Sequence, residues 1–231
     1  VRPDFSYRSN DLEIMDDLNC EGEVVNQTLR EIAYINKTLG GNGVTLSGIS
    51  KLLNGKSGDF TIADLGCGGG EMLSYVHSWG KKKQLDFQLT GFDANPNIIG
   101  FARENEKGYN FLCENVLSPS FFNKKFDIIT CTLFTHHFSS FQLAKAISHW
   151  IGQTTTGIVI NDLHRHPLAY YSIKLLTSLF SKSAMVKYDA PLSVLRGFTK
   201  REWEEILQGA GVKNYRIKWR WAFRWEVVIF K

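Results

Sequence analysis

No apolar run in this 231-residue sequence approaches the ~18 residues that a bilayer span requires, and the opening VRPDFSYRSNDLE is too polar for a secretory leader. A cytoplasmic chain without a membrane span is expected. Cysteine is scarce: Cys20, Cys67, Cys113 and Cys131 lie far apart, with no C-x-x-C pair and no C-x-H spacing. That excludes a zinc knuckle and a disulfide framework and leaves reduced core thiols. Charge of one sign is lacking too, since 27 basic and 23 acidic residues leave only +4, too little by itself to mark a nucleic-acid binder. Internal repeats and low-complexity tracts are absent. What remains, 43% hydrophobic and 22% charged, is the composition of an ordinary globular protein. A core of this size buries roughly 70% of the unfolded surface, leaving room for an enclosed small-molecule site.

The apolar spacing changes along the chain. From Asp11 to about Leu53 it is helical: Ile14, Met15, Leu18, then Val24, Val25, Leu29, Ile32, Ile35 and Leu39, a stop at Gly40-Gly41-Asn42-Gly43, and a short helix from Leu46. Residues 1–56 are therefore expected to form a helical cap on a main domain of 57–231. After Gly58, strands are predicted at Phe60–Leu65, Phe87–Phe92, Asn110–Cys113, Phe126–Thr132 and Gly157–Ile160, with helices from about Glu71, from about Pro96 and through Ala144–Trp150. Such alternation builds a doubly wound, mostly parallel α/β sheet with crossover helices on both faces. Residues 167–198 are too long for one connection and read as a helical insertion, with Tyr170–Phe180 its clearest helix. Thr199-Lys200-Arg201-Glu202 is a capping box opening the next helix. The tail, Asn214–Lys231, alternates with period two and supplies two more strands, joined near Trp221–Arg224, which makes seven.

Asp64-Leu65-Gly66-Cys67-Gly68-Gly69-Gly70 follows a strand and opens a helix, so backbone can approach a ligand closely there. The spacing is G-x-G-x-G. A dinucleotide turn needs its third glycine where this chain has Glu71, which repels a pyrophosphate, and the lysine of a phosphate-binding loop is missing.

IADLGCGGG, GFDANP and FDIITCTLFTHHF, in that order and at matching intervals, resemble the first, second and fourth motifs of class I S-adenosylmethionine-dependent methyltransferases. The resemblance runs from about Phe60 to Lys231. It implies S-adenosylmethionine as cofactor, with S-adenosylhomocysteine as product, held by Asp64, Gly66, Cys67 and Gly68 around its methionine portion. It implies Asp93, with Ala94 and Asn95, at the ribose, where an acid accepts two hydroxyls. Asn115 stands where the family commonly has Asp beside the adenine, and Val116 and Thr132 complete the site. His136 falls in register with the base of plant phenolic O-methyltransferases, and His137 with a histidine that packs beside the cofactor.

A phenol of pKa ~10 gains from a positioned base, and histidine suits that task. His136 and His137 follow the fourth strand, His164 and His166 the fifth, all past the sheet edge where ligands bind. His136 and His164 are the candidate bases; the alternative is that they cap helices or fill space. Met15, Asp162, Tyr170, Tyr171, Trp221 and Arg224 are candidate acceptor contacts, the aromatic rings as stacking surfaces and Arg224 for an acidic or phenolate group. Asp16 and Asp17 read either as lid residues or as an exposed helix start.

No metal is expected: a divalent-metal methyltransferase needs a carboxylate after the fourth strand, where this chain has Thr132-Leu133-Phe134. The Asn/Asp-Pro-Pro-aromatic turn and the Pro-Cys nucleophile of nucleic-acid methyltransferases are absent, and the basic, aromatic tail is explained by strand alternation. The NDLHRHPLAYY run resembles ubiquinone/menaquinone-type small-molecule enzymes. The expectation is O-methylation of a phenolic or polyketide-like aromatic small molecule by a monomer or homodimer, without nucleic acid. N- or C-methylation, and a catalytically silent cofactor-binding protein, are the alternatives.

Overall fold

The computed structural model describes residues 3–231. Seven strands form one sheet: β1 (Asp59–Leu65), β2 (Asp86–Asp93), β3 (Asn110–Cys113), β4 (Phe126–Thr132), β5 (Thr154–Leu163), β6 (Tyr215–Arg220) and β7 (Arg224–Phe230). Their order is β3-β2-β1-β4-β5-β7-β6, and only β7 runs antiparallel to its neighbours. The strand order reverses beside β1 and β4, so the carboxyl ends of these strands open a crevice, where ligands of such sheets bind.

Nine α-helices accompany the sheet among the described residues: α1 (Glu23–Thr38), α2 (Gly41–Leu53), α3 (Glu71–Lys83), α4 (Pro96–Asn105), α5 (Pro119–Phe122), α6 (Ser140–Gln153), α7 (Pro167–Phe180), α8 (Ala184–Arg196) and α9 (Lys200–Gly209). None is long and apolar enough to cross a membrane. Successive strand residues point to opposite faces, and both faces are buried. Ala63, Ile129, Ile158 and Val227 pack with Trp150 and Trp203 of α6 and α9. Ile62, Ile128, Val159 and Val228 pack with Ile49, Leu52, Leu73 and Ile99 of α2, α3 and α4.

Two expectations for the front segment need correction. The glycine run does end α1, at Thr38, but Leu39 and Gly40, the latter with φ of 74°, interrupt the helical region for only two residues, and α2 starts at Gly41 rather than near Leu46. Further along α2 a small residue is needed for close packing, because a Cβ on Gly48 would stand 2.3 Å from Val159 Cγ1 of β5. Asp11 to Gly22 is not an α-helix. It is a strap with one 3-10 turn, Ile14–Asp16, whose Ile14 and Met15 amides donate to the buried Asp189 carboxylate of α8 at 2.8 and 3.2 Å. Tertiary partners override the local periodicity there.

Candidate active site

The crevice holds a cavity of about 830 Å³, within the range of small-molecule sites. Its floor is the turn after β1. Gly66 and Gly68 take φ of 65° and 53°, conformations that a side chain would strain, and a Cβ on Gly66 would lie 2.1 Å from the Phe134 ring. Gly68 N–H donates to Asp93 Oδ2 at 3.3 Å, while Oδ1 accepts from Asn95 N–H at 3.0 Å, so the end of β2 is fixed to the turn. Asn95 caps α4 through Oδ1 and donates through Nδ2 to the Cys20 carbonyl of the strap.

Three acids line this floor: Asp64, Glu71 and Asp93. Burial raises the Asp64 carboxyl to about 7 against the opposing hydrogen bond from Thr130, with Glu71 and Asp93 adding to the rise. Burial likewise raises Glu71 to about 7 and pushes Asp93 up. Among the described residues no Lys or Arg pairs with any of the three. Three buried acids without a resident cation suit a positively charged ligand with hydroxyls, whose charge favours their ionised forms, and they disfavour a pyrophosphate. Ala94, Asn115, Val116 and Thr132 line the same cavity, as do Cys67 and His137.

The opposite wall begins at His136, buried in the 3-10 turn Thr135–His137 after β4. Its Nδ1 lies 2.6 Å from Asp162 Oδ1, and Asp162 Oδ2 accepts from the Thr135 hydroxyl and the His136 N–H. Burial works to raise Asp162, but the charge and hydrogen bond of His136 and the Thr135 bond outweigh it and hold the carboxyl well below its usual range. With Asp162 ionised and accepting at Nδ1, the neutral form of His136 carries its lone pair on Nε2. His137 Nδ1 lies 2.6 Å from Asp16 Oδ1, and Arg196 of α8 donates to Asp16 Oδ2 at 2.5 Å and to the His137 carbonyl. The strap is thereby tied over the cavity.

Met15, Trp221 and Arg224 line the cavity, Trp221 at its rim. Ala222 and Phe223, both with positive φ, form the tight turn between β6 and β7 beside them. Four expected contacts do not. His164 follows Leu163, and it is Leu163 that faces the cavity; the His164 ring points the other way, 4.9 Å from Trp225. Asp162 lies fully buried behind His136, its oxygens occupied, so it positions the histidine rather than touching an acceptor. Tyr170 and Tyr171 sit on the wrong face of α7 and pack on Phe5 at 5.7 and 6.3 Å, whereas Ala169, Ser172, Ile173 and Leu176 face the cavity. His136 and His137 cap no α-helix either, since Ser139 caps α6.

Sequence reasoning missed Glu13, Asp189, Arg196 and Arg8. Arg8 donates to the carbonyls of His136 and Arg196 and stacks 3.9 Å over Phe198. The only local signal was Glu13-x-x-Asp16, which forms a reciprocal cap on the strap's turn.

Residues 62–157 match the profile of the methyltransferase domain. No curated protein matches the chain. Among solved structures, the plantazolicin methyltransferase BpumL in complex with SAH is 19% identical over 90% of this chain and 94% of its own, with a TM-score of 0.64. Human N-acetylserotonin methyltransferase in complex with SAM is 19% identical over 92% of this chain and 56% of its own, at 0.63. Magnesium protoporphyrin IX methyltransferase from Synechocystis PCC 6803 is 14% identical over 84% of each chain, at 0.54. Residues 62–157 thus match a methyltransferase domain, and the chain has the fold of the class I methyltransferases.

Proposed function

We propose, from the premise that residues 62–157 are a methyltransferase domain, that the chain transfers a methyl group from S-adenosylmethionine to an oxygen of a phenolic or polyketide-like small molecule. The His136–Asp162 pair, joined at 2.6 Å in the wall opposite the acidic floor, carries this reading. S-adenosylmethionine supplies an electrophilic methyl on a sulfonium and departs as S-adenosylhomocysteine. Asp64 and the backbone of Gly66 and Gly68 hold its methionine end, Asp93 its ribose hydroxyls, and Asn115 its adenine amino group.

The chain's own work is to orient and to deprotonate. Alignment of nucleophile and methyl supplies roughly 7–11 kcal/mol of the barrier. A phenol near pKa ~10 lacks about three units at neutral pH, or ~4 kcal/mol, and His136 Nε2 takes that proton while Asp162 steadies the imidazolium. The apolar side chains of Met15, Ile173 and Leu176 enclose a flat acceptor, Trp221 closes the rim, and Arg224 at the cavity wall offers the positive charge for an acidic or phenolate group.

Incubation with S-adenosylmethionine and a panel of phenols, anilines and activated carbon acids, read by S-adenosylhomocysteine release and product mass, tests the proposal. A phenol-dependent gain of one methyl on oxygen is expected. S-adenosylmethionine binding without turnover on any member would overturn it in favour of a silent binding protein, and methyl on nitrogen or carbon would overturn the choice of atom.

A further inference from the structure

Where the strap crosses the cavity wall, three metal-ligating side chains converge. One ligand atom each of Glu13, His136 and His137 lies within 4.8 Å of the other two. His136 Nε2 and Glu13 Oε1 are 3.5 Å apart, close to the ~3.4 Å that separates two ligands ~2.1 Å from a tetrahedral zinc ion. Glu13 is 6% exposed, and its Oε1 has no hydrogen-bond partner. Arg196 Nη1 reaches the same oxygen only at 3.5 Å, because its short bond is to Asp16 at 2.5 Å. Both histidines are held at Nδ1 by a carboxylate, Asp162 and Asp16, each at 2.6 Å. Metal-bound histidines are oriented in this way by their outer partners, and ligation through Nε2 leaves those bonds intact.

We propose that Glu13, His136 and His137 form a binding site for one zinc-like divalent transition-metal cation, which staples the N-terminal strap to the wall of the cavity. Two imidazoles and a carboxylate suit zinc, with a fourth position left for water. The cation takes the Nε2 lone pair, so on the reading of His136 as the base, zinc binding and proton transfer exclude each other. Zinc then acts as an inhibitor competing with the acceptor.

Zinc chloride titrated calorimetrically into the chelator-treated full chain, without S-adenosylmethionine, tests the site apart from the reaction. One ion per chain with micromolar or tighter affinity is expected, with a rise in Tm. Glu13→Gln and His136→Gln should each weaken binding at least ~10-fold. Zinc-edge absorption of the wild-type complex should show imidazole and oxygen scatterers, which keeps the proposal testable if a variant fails to fold. No binding at 100-fold the protein concentration, affinity unchanged in both folded variants, or sulfur ligation from a cysteine would each overturn it. Zinc binding without inhibition of turnover would overturn the exclusion at Nε2.

Discussion

On the proposed reading, the donor half of the cavity comes from strand ends in the middle of a sheet buried on both faces, while the acceptor half comes from a strap, a helical hairpin and a β-turn that meet only across the chain. Asp64 and Asp93 stand at the ends of β1 and β2 and the glycine turn follows β1, so the parallel register of the two strands fixes them before any ligand arrives. On the other side, Ile14 meets Asp189 and Asp16 meets Arg196, pairs 175 and 180 residues apart, and Arg8 reaches the His136 carbonyl across 128 residues. The donor side is rigid because neighbouring strands hold it. The acceptor side is held by ion pairs and side-chain bonds to backbone, which open at lower cost than a sheet does. A donor common to many enzymes and an acceptor particular to one call for that division.

The largest expected effect lies on the acceptor side. His136→Ala should lower turnover by roughly 10²–10⁴ near neutral pH, with partial recovery at high pH as the phenol ionises unaided. Affinity for S-adenosylmethionine, measured calorimetrically, should stay within a few-fold. Wild-type turnover in a folded variant would leave orientation as the whole of catalysis.

The counterpart on the donor side is Asp93→Ala. Two charge-assisted bonds to ribose hydroxyls, each about 1.5–3 kcal/mol, give an expected loss of ~100-fold or more in cofactor affinity. Loss of the Gly68 and Asn95 bonds also loosens the turn. Unchanged affinity would remove the ribose from this position.

The same division governs what the sequence discloses. β3 and β4 coincide with the predicted ranges Asn110–Cys113 and Phe126–Thr132, and the order of glycines and acids around β1 and β2 is legible, because turn chemistry and strand period are local. α8 is not separately legible: its apolar pattern is diluted by buried Asp189 and Arg196, which serve distant partners, and by Pro191 inside the helix. Glu13 and Arg8 look like ordinary surface charges until the strap lies on the cavity. Tyr170 and Tyr171 were placed at the acceptor from their position after β5, but the helical period of α7 turns them outward.

Trp221→Ala probes the rim, where a side chain 77% exposed contributes to enclosure without being held. A rise of roughly 3–10-fold in the acceptor KM is expected, in line with about 0.5–1.5 kcal/mol for an aromatic contact, with cofactor affinity intact. Equal loss of both affinities would make the β6–β7 turn part of the shared scaffold.

The smallest effect on turnover should come from His164→Ala, and the comparison is sharpest there because His164 and His136 each follow a strand at the ligand edge. His164 turns its ring to Trp225, 4.9 Å away, and its Nδ1 is buried without a partner. Burial first, then the charges of His166 and Arg165, lower its pKa from 6.5 to about 4. The unfolded chain therefore binds the proton more readily between these values. Its contribution to stability is complete above pH 6.5 and is lost as the pH falls toward 4. The variant should keep turnover within about two-fold, the size of an ordinary change away from reacting atoms. In thermal melts the gap in Tm between wild type and variant should shrink as the pH drops through this window, because the alanine has no proton to take up. A large fall in turnover with cofactor binding unchanged would return the base to the end of β5 and make the Asp162–His136 pair a structural brace.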